Sequence, residues 1–255
     1  MAAKERSIFV TGAASGIGLA TARLFARQGW FVGLYDVNGG ALQSLHSELG
    51  KETSCYQVMD VTDQESVASA VTHFSAHTGN RMDVLFNNAG IIRMGDNHEI
   101  PVAEQRRIID VNVCGMLNCI AASFKLLQGT QGSRIINMSS AASLSGVPQL
   151  AVYAASKAAV SSLTESLNLE LEKHGIFVCD IRAPYVNTPL LEREVKAASI
   201  DKLGIKLSPQ DVAGVVWKAA HGHHLHNDTK GILPLRSLRL LPGFISRRIL
   251  RLLTM

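Results

Sequence analysis

The chain has 255 residues, 47% hydrophobic and 18% charged, with a net charge of +4. This composition excludes a disordered or low-complexity chain and is long enough for one large core. No apolar run reaches the roughly eighteen residues of a bilayer span, and Met1 to Ser7 has no signal-peptide core, so a cytoplasmic protein is expected.

Residues 7–11 form a short β-rich apolar run suited to a buried parallel strand. Gly12-Ala-Ala-Ser15-Gly16-Ile17-Gly18 follows, then a helical pattern through Leu19, Ala22, Phe25 and Ala26. Strand, glycine turn and helix together form the context of a dinucleotide site. There, glycines admit the pyrophosphate and the helix N-terminus meets its charge. The spacing is G-x-x-x-G-x-G, and three glycines in a turn can also be purely structural. The next strand, 30–35, ends at Asp36, twenty-four residues after Gly12. A carboxylate there accepts from adenosine ribose hydroxyls and repels a 2′-phosphate. No basic residue at Ser15 or Val37 offsets that repulsion, which favours NAD over NADP.

The alternation continues with a helix over 40–49, a strand over 54–59 and a helix over 64–77 capped by Thr62 or Asp63. Val84-Leu85-Phe86 runs into Asn87-Asn88-Ala89-Gly90. Helices over about 102–112 and 113–127 precede a strand at 134–138, a helix over 151–173 and a strand at 176–181. A last helix opens at Pro209 with Ser208 as its cap. Repeated β-then-α predicts an α/β fold: one Rossmann-like, doubly wound parallel sheet with helices on both faces. Residues 1–228 form one domain, including a substrate loop over about 189–208, and 229–255 form a basic, apolar tail. Cys55, Cys114, Cys119 and Cys179 have no disulfide-like spacing and are expected reduced and mostly buried.

Tyr153 and Lys157 lie four apart on the 151–173 helix, which puts phenol and ammonium on one face. A neighbouring cation favours the phenolate and brings a tyrosine toward useful acid/base range. Ser140 lies thirteen residues before Tyr153 and offers a hydroxyl for the same substrate oxygen.

With these motifs in order, residues 6–220 resemble the short-chain dehydrogenase/reductase family. Gly12, Ser15, Gly16, Ile17 and Gly18 match its cofactor loop, and Asp60-Val61 its adenine pocket. Asn87, Ala89 and Gly90 match the segment beside the cofactor ribose. Ser140, Tyr153 and Lys157 match its catalytic positions, and Asn112 falls in the helix that carries its active-site asparagine. The resemblance implies NAD-linked hydride transfer between a secondary alcohol and a ketone. Tyr153 exchanges the hydroxyl proton, Ser140 holds the substrate oxygen, Lys157 holds the ribose and Asn112 positions a relay water. It also implies a homodimer or homotetramer built on the helices around 102–127 and 151–173. One departure stands out: Ala183-Pro184 replaces the family's Pro-Gly, while Val186 and Thr188, expected beside the nicotinamide, keep their places. A catalytically silent dinucleotide-binding regulator is the alternative, as is a dehydratase or epimerase on the same scaffold.

Residues expected near the substrate are Ser140, Met94, Leu144, Val147, Leu150, Tyr185 and Leu190, nearly all apolar. A lid is expected from Leu191, Val195, Ile200, Leu203 and Ile205. The substrate class is then a hydrophobic alcohol or ketone, unless these residues simply pack on the core. No metal is expected; the histidine-rich stretch His221 to His226 fits a solvated turn. Nucleic acid is not an expected partner. Thr229 to Met255 holds six basic and no acidic residues, which leaves the rest of the chain at −2. If 243–255 is helical, Ile245, Ile249, Leu252 and Leu253 gather opposite Arg247, Arg248 and Arg251. That pattern suits either a helix docked on the protein or peripheral contact with anionic lipid.

Overall fold

The computed structural model describes residues 6–192, 197–237 and 240–254. Seven parallel strands form one sheet in the order β3-β2-β1-β4-β5-β6-β7. They are β1 (Ser7–Thr11), β2 (Phe31–Asp36), β3 (Ser54–Val58), β4 (Val84–Asn87), β5 (Arg134–Met138), β6 (Phe177–Arg182) and β7 (His226–Asp228). β1 is buried along its whole length and its side chains alternate between two cores. Ile8 and Val10 join Val32, Leu34, Val212 and Val216 on one face. Phe9 joins Tyr35, Phe74, Leu85 and Ile120 on the other. Phe9 stacks on Tyr35 with centroids 3.9 Å apart, and Phe74 meets Phe9 edge-on at 5.4 Å.

Helices α1 (Gly16–Arg27), α2 (Gly39–Leu49) and, later, α9 (Pro209–Ala219) cover the first face; α3 (Gln64–Thr78) and α6 (Ala151–Glu172) serve the second. Asp63 caps α3 by accepting from the Glu65 and Ser66 N–H groups at 2.9 and 3.3 Å. Ser208 and Asp211 form a reciprocal capping box on α9, with Pro209 in its first turn. The strands and helices through 220 otherwise follow the expected order.

Two elements differ from the sequence expectation, and a third takes a form that it left open. The two helices expected over 102–127 run as one: α4 (Val102–Ile109), a π-helical turn (Asp110–Cys114) and α5 (Gly115–Gln128). By length and composition this 27-residue stretch is apolar enough to cross a membrane, although Asn112, Asn118 and Lys125 interrupt its apolar run. In the fold it flanks the sheet, burying Met116, Cys119, Ile120 and Leu127.

β7 is the second difference, because its start falls in the supposed histidine turn. His226 pairs with Asp180 in register and its Nδ1 lies 2.9 Å from the Asp180 carboxylate. Arg182 Nε donates to Asp228 at 2.7 Å, so polar pairs rather than an apolar run hold this edge strand. His221 packs on Trp217 and His223 on Phe177; these side chains serve packing rather than a shared ligand site.

The third is the tail. It folds into α10 (Ile232–Ser237) and α11 (Gly243–Thr254), and α11 packs on α8 (Ala198–Leu203). Lys202 Nζ donates to the Leu252 carbonyl at 2.9 Å, placing a cation at the C-terminal end of α11.

Candidate active site

A cleft of about 670 Å³ runs along the C-terminal ends of the strands, where the sheet order reverses at β1 and β4. At one end lie Gly12, Ser15, Gly16 and Ile17 of the turn into α1. Gly12 has φ +67°, and a Cβ on it would lie 2.9 Å from Ala89 Cα. A Cβ on Gly18 would lie 2.0 Å from the Gly12 carbonyl, so Gly18 closes the turn on itself and does not line the cleft. Ser15 starts α1 without a side-chain capping bond, and the first turn has no acidic residue. The helix therefore presents open N–H groups to the cleft, a cradle that fits a pyrophosphate.

Asp36 lines the same end, its carboxylate braced by the Ala14 and Asn38 N–H groups at 3.1 and 3.0 Å. Asp60 and Val61 complete the pocket beyond it; Asp60 also accepts from the Thr62 N–H and hydroxyl at 2.9 and 2.8 Å. Ala89 and Gly90 form the floor. Thr11 Oγ1 accepts from the Asn88 and Ala89 N–H groups at 3.0 and 2.9 Å, which fixes this loop against β1. Asn88, not Asn87, borders the cleft. Asn87 lies below it and donates to Asn137 Oδ1 at 2.9 Å.

At the centre are Ser140, Tyr153 and Lys157. Ser140 follows β5, and its Oγ accepts from the Ala142 N–H at 3.1 Å. Tyr153 and Lys157 come from consecutive turns of α6, with Lys157 Nζ 5.8 Å from the phenol ring centroid. Lys157 is 5% exposed and donates to the Met138 carbonyl at 2.8 Å. Asn112 does not line the main cleft. The π-helical turn aims it at the loop after β4, where it accepts from the Ile91 N–H at 2.8 Å and donates to the Ile91 carbonyl and Ser156 Oγ at 3.0 Å.

The electrostatics depart from the simple expectation that the lysine draws the tyrosine's pKa down. Burial dominates and pushes Tyr153 up to about 12; its hydrogen bond with Ser140 works in the opposite direction and is outweighed. Burial lowers Lys157 from 10.5 to about 8. The pair therefore consists of a neutral phenol, a proton donor at neutral pH, beside a weakly held ammonium.

Leu150, Tyr185 and Leu190 line the far end of the cleft, as does Val147. Met94 and Leu144 do not; Met94 packs behind it with Ile92, Leu150 and Ile200. Tyr185 is held by Ser199, its Oη 2.6 Å from the Ser199 Oγ. The loop with Ala183-Pro184 keeps its course because the Ala183 carbonyl accepts from the Ala141 N–H at 2.8 Å. Val186 and Thr188 accordingly line the cleft, with Thr188 against Gly16. The substrate loop supplies α7 (Pro189–Glu192) and α8; Val195 and the Leu203 side chain, expected in a lid, lie outside the described residues. The sequence did not point to two groups of lining residues: Arg107, Asp110, Val111 and Cys114 around the π-helical turn, and Leu235, Leu250, Leu253 and Thr254 of the tail.

Comparisons with known proteins identify the family. A family model described as short chain dehydrogenase matches residues 6–199. The chain belongs to the short-chain dehydrogenase family. It is an oxidoreductase with that family's dinucleotide-binding Rossmann-like fold. Among relatives, it is 35% identical to cis-4-hydroxycyclohexanecarboxylate dehydrogenase of Sinomonas cyclohexanicum, covering 83% of this chain and 88% of that one. It is 37% identical to sorbitol dehydrogenase of Cereibacter sphaeroides, over 68% and 67% of the two chains. A short-chain dehydrogenase/reductase from Burkholderia phymatum, solved in complex with NAD, superposes with a TM-score of 0.84 at 26% identity, covering 93% of each chain.

A separate cluster lies between β3 and α3. Ligand atoms of Cys55, His73 and His77 fall within 4.8 Å of one another. Tyr35 Oη already engages Cys55 Sγ at 3.7 Å and His73 Nδ1 at 3.2 Å, and burial pushes the thiol up to about 12. These are the properties of a hydrogen-bonded packing group.

Proposed function

We propose that this short-chain dehydrogenase interconverts apolar, ring-sized secondary alcohols and their ketones using NAD(H), with Tyr153 exchanging the hydroxyl proton. The observation that carries this is the position of Ser140, Tyr153 and Lys157 at the centre of one cleft, between the glycine turn and an apolar far end. Bound nicotinamide supplies the hydride chemistry. The open N-terminus of α1 suits its pyrophosphate, and Asp36 suits an unphosphorylated adenosine ribose. Ser140 Oγ serves as donor to the substrate oxygen, and Tyr153 gives that oxygen its proton during reduction. Lys157 holds positive charge beside the phenol, and Asn112 keeps the loop after β4 in place through Ile91.

The far end favours a cyclic hydrocarbon framework over a polyol. Val147, Leu150, Leu190, Leu250 and Leu253 offer apolar surface, against which the spare hydroxyls of a polyol would lose their partners. The named activities of two relatives, on cyclohexanol and cis-4-hydroxycyclohexanecarboxylate, support the ring, whereas the sorbitol dehydrogenase relative is named for a polyol and makes polyols the arm of the test that can overturn this choice. The test is a panel of cyclic alcohols, cyclic ketones and polyols, followed by nicotinamide absorbance with NAD(H) and NADP(H). Tyr153→Phe should lower turnover by roughly a hundredfold or more while leaving NADH binding nearly unchanged. Comparable turnover in that variant would sink the assignment of Tyr153. Tight NADH binding with no turnover across the panel would favour a silent binding protein.

A further inference from the structure

We propose that the outer face of α11 is a docking surface for an anionic lipid bilayer. Along a helix, Phe244, Arg247, Arg248 and Arg251 fall within an arc of about 100°. All four are exposed, Phe244 by 76% of its surface. Leu252 borders this arc at 69% exposed, and Leu233 and Leu240 of the same tail are 76% and 87% exposed. Leu250 and Leu253 lie on the opposite side of α11 and line the cleft. One side of the helix is thus a wall of the proposed substrate site, and the other is an aromatic residue set among arginines.

Charge chooses the occupant. Lys230, Arg236, Arg247, Arg248 and Arg251 come from a tail with no acidic residue. Arg236 is 3.5 Å from Asp228, whereas no ion pair involves the three α11 arginines among the described residues. α8, packed on α11, contributes Asp201 and Lys202, whose charges cancel. A two-fold contact with a second copy through this face would set arginines against arginines. An anionic bilayer instead takes the guanidinium groups at its headgroups and Phe244 and Leu252 in its interfacial layer. Each basic residue near such a surface strengthens binding by about fivefold, screened by salt. Docking there brings lipid, a source of hydrophobic substrate, to the helix that walls the apolar end of the cleft; that consequence rests on the proposed activity, while the docking does not.

The test is co-sedimentation of the full chain with phosphatidylcholine vesicles, with and without phosphatidylglycerol, at low and high salt. The protein should pellet with the mixed vesicles at low salt and be released by salt. Arg247→Glu and Arg248→Glu should each weaken this by about twenty-fivefold, the square of the single-charge effect. Phe244→Ser should weaken it with little change in melting temperature. All three variants should keep the wild-type rate, whatever it is, on a water-soluble alcohol; vesicle binding is read independently of turnover. Failure to pellet at low salt would overturn the proposal, as would equal binding to pure phosphatidylcholine. So would dissociation of an oligomer by Phe244→Ser, which would assign the face to a second copy.

Discussion

Replacing Lys157 with methionine should stabilise the cofactor-free fold at neutral pH while removing activity. Lys157 is 5% exposed, and burial lowers its pKa from 10.5 to about 8. Between those values the unfolded chain binds more protons than the folded one, so stability rises as the pH climbs from about 8 to 10.5. At pH 7 the charged side chain costs about 3 kcal/mol relative to a group with no such shift; by pH 9.5 the figure has fallen to about 1 kcal/mol. Methionine occupies a similar shape without charge, but the Met138 carbonyl loses its donor at 2.8 Å, an offset of about 1.5 kcal/mol. The net gain is about 2 kcal/mol at pH 7, or about 4–8 °C in Tm, and close to zero near pH 9.5. Urea and thermal unfolding at the two pH values measure it. A variant less stable than wild type at pH 7 would refute the reasoning, as would a difference that does not shrink with pH. A stabilised, inactive variant would show that the fold retains a destabilising group for its chemistry.

Asp36→Ala should weaken NAD binding by roughly tenfold and narrow the preference over NADP, since a carboxylate bond and a repulsion are lost together; a wild type that already prefers NADPH would contradict the role given to Asp36. Gly18→Ala forces a Cβ to within 2.0 Å of the Gly12 carbonyl, so it should destabilise the protein by about 2–4 kcal/mol and abolish cofactor binding by calorimetry. Alcohol oxidation should accelerate as the pH rises from 7 toward 10 while ketone reduction does not, because Tyr153, pushed up to about 12, is a donor and needs a base form only for oxidation. Sedimentation should find a dimer or larger, and Leu169→Glu, on the exposed side of α6 at 73% exposure, should dissociate it; a monomeric wild type would remove the expectation.

The strands and helices that build the sheet were legible because each carries its own signal: β1 holds the apolar run Ile8-Phe9-Val10, α9 opens on Ser-Pro, and Asp36 ends β2 at dinucleotide spacing. Elements stabilised by distant partners were not. β7 has no apolar run and exists because His226 and Asp228 find Asp180 and Arg182 some 46 residues away. The π-helical turn at Asn112 is invisible to helical periodicity, since the Ile91 backbone and Ser156, both remote in sequence, determine where that side chain must point. The same reasoning explains Asn87 and Asn88. Adjacent asparagines alternate across the end of a strand, and the sequence cannot say which one faces the cleft until β1 and β5 flank them.

Tyr153 and Lys157 illustrate a different limit. Their spacing on α6 places them together, yet it carries no information on how far water is excluded, and burial sets the direction of both pKa values, against the Ser140 hydrogen bond at Tyr153. The tail combines the two limits. Its amphipathic pattern correctly separates Leu253 from the arginines, but periodicity assigns a helix two faces without naming what each one meets. Only the packing on α8 shows that the inner face is a wall of the cleft, with Leu252, grouped with the apolar side by periodicity, turned out beside Phe244. A helix that closes the apolar end of the cleft and exposes a basic aromatic face links access to the site with whatever surface that face touches. Substrate specificity in this protein is therefore to be sought in α11 as much as in the loop at 189–208.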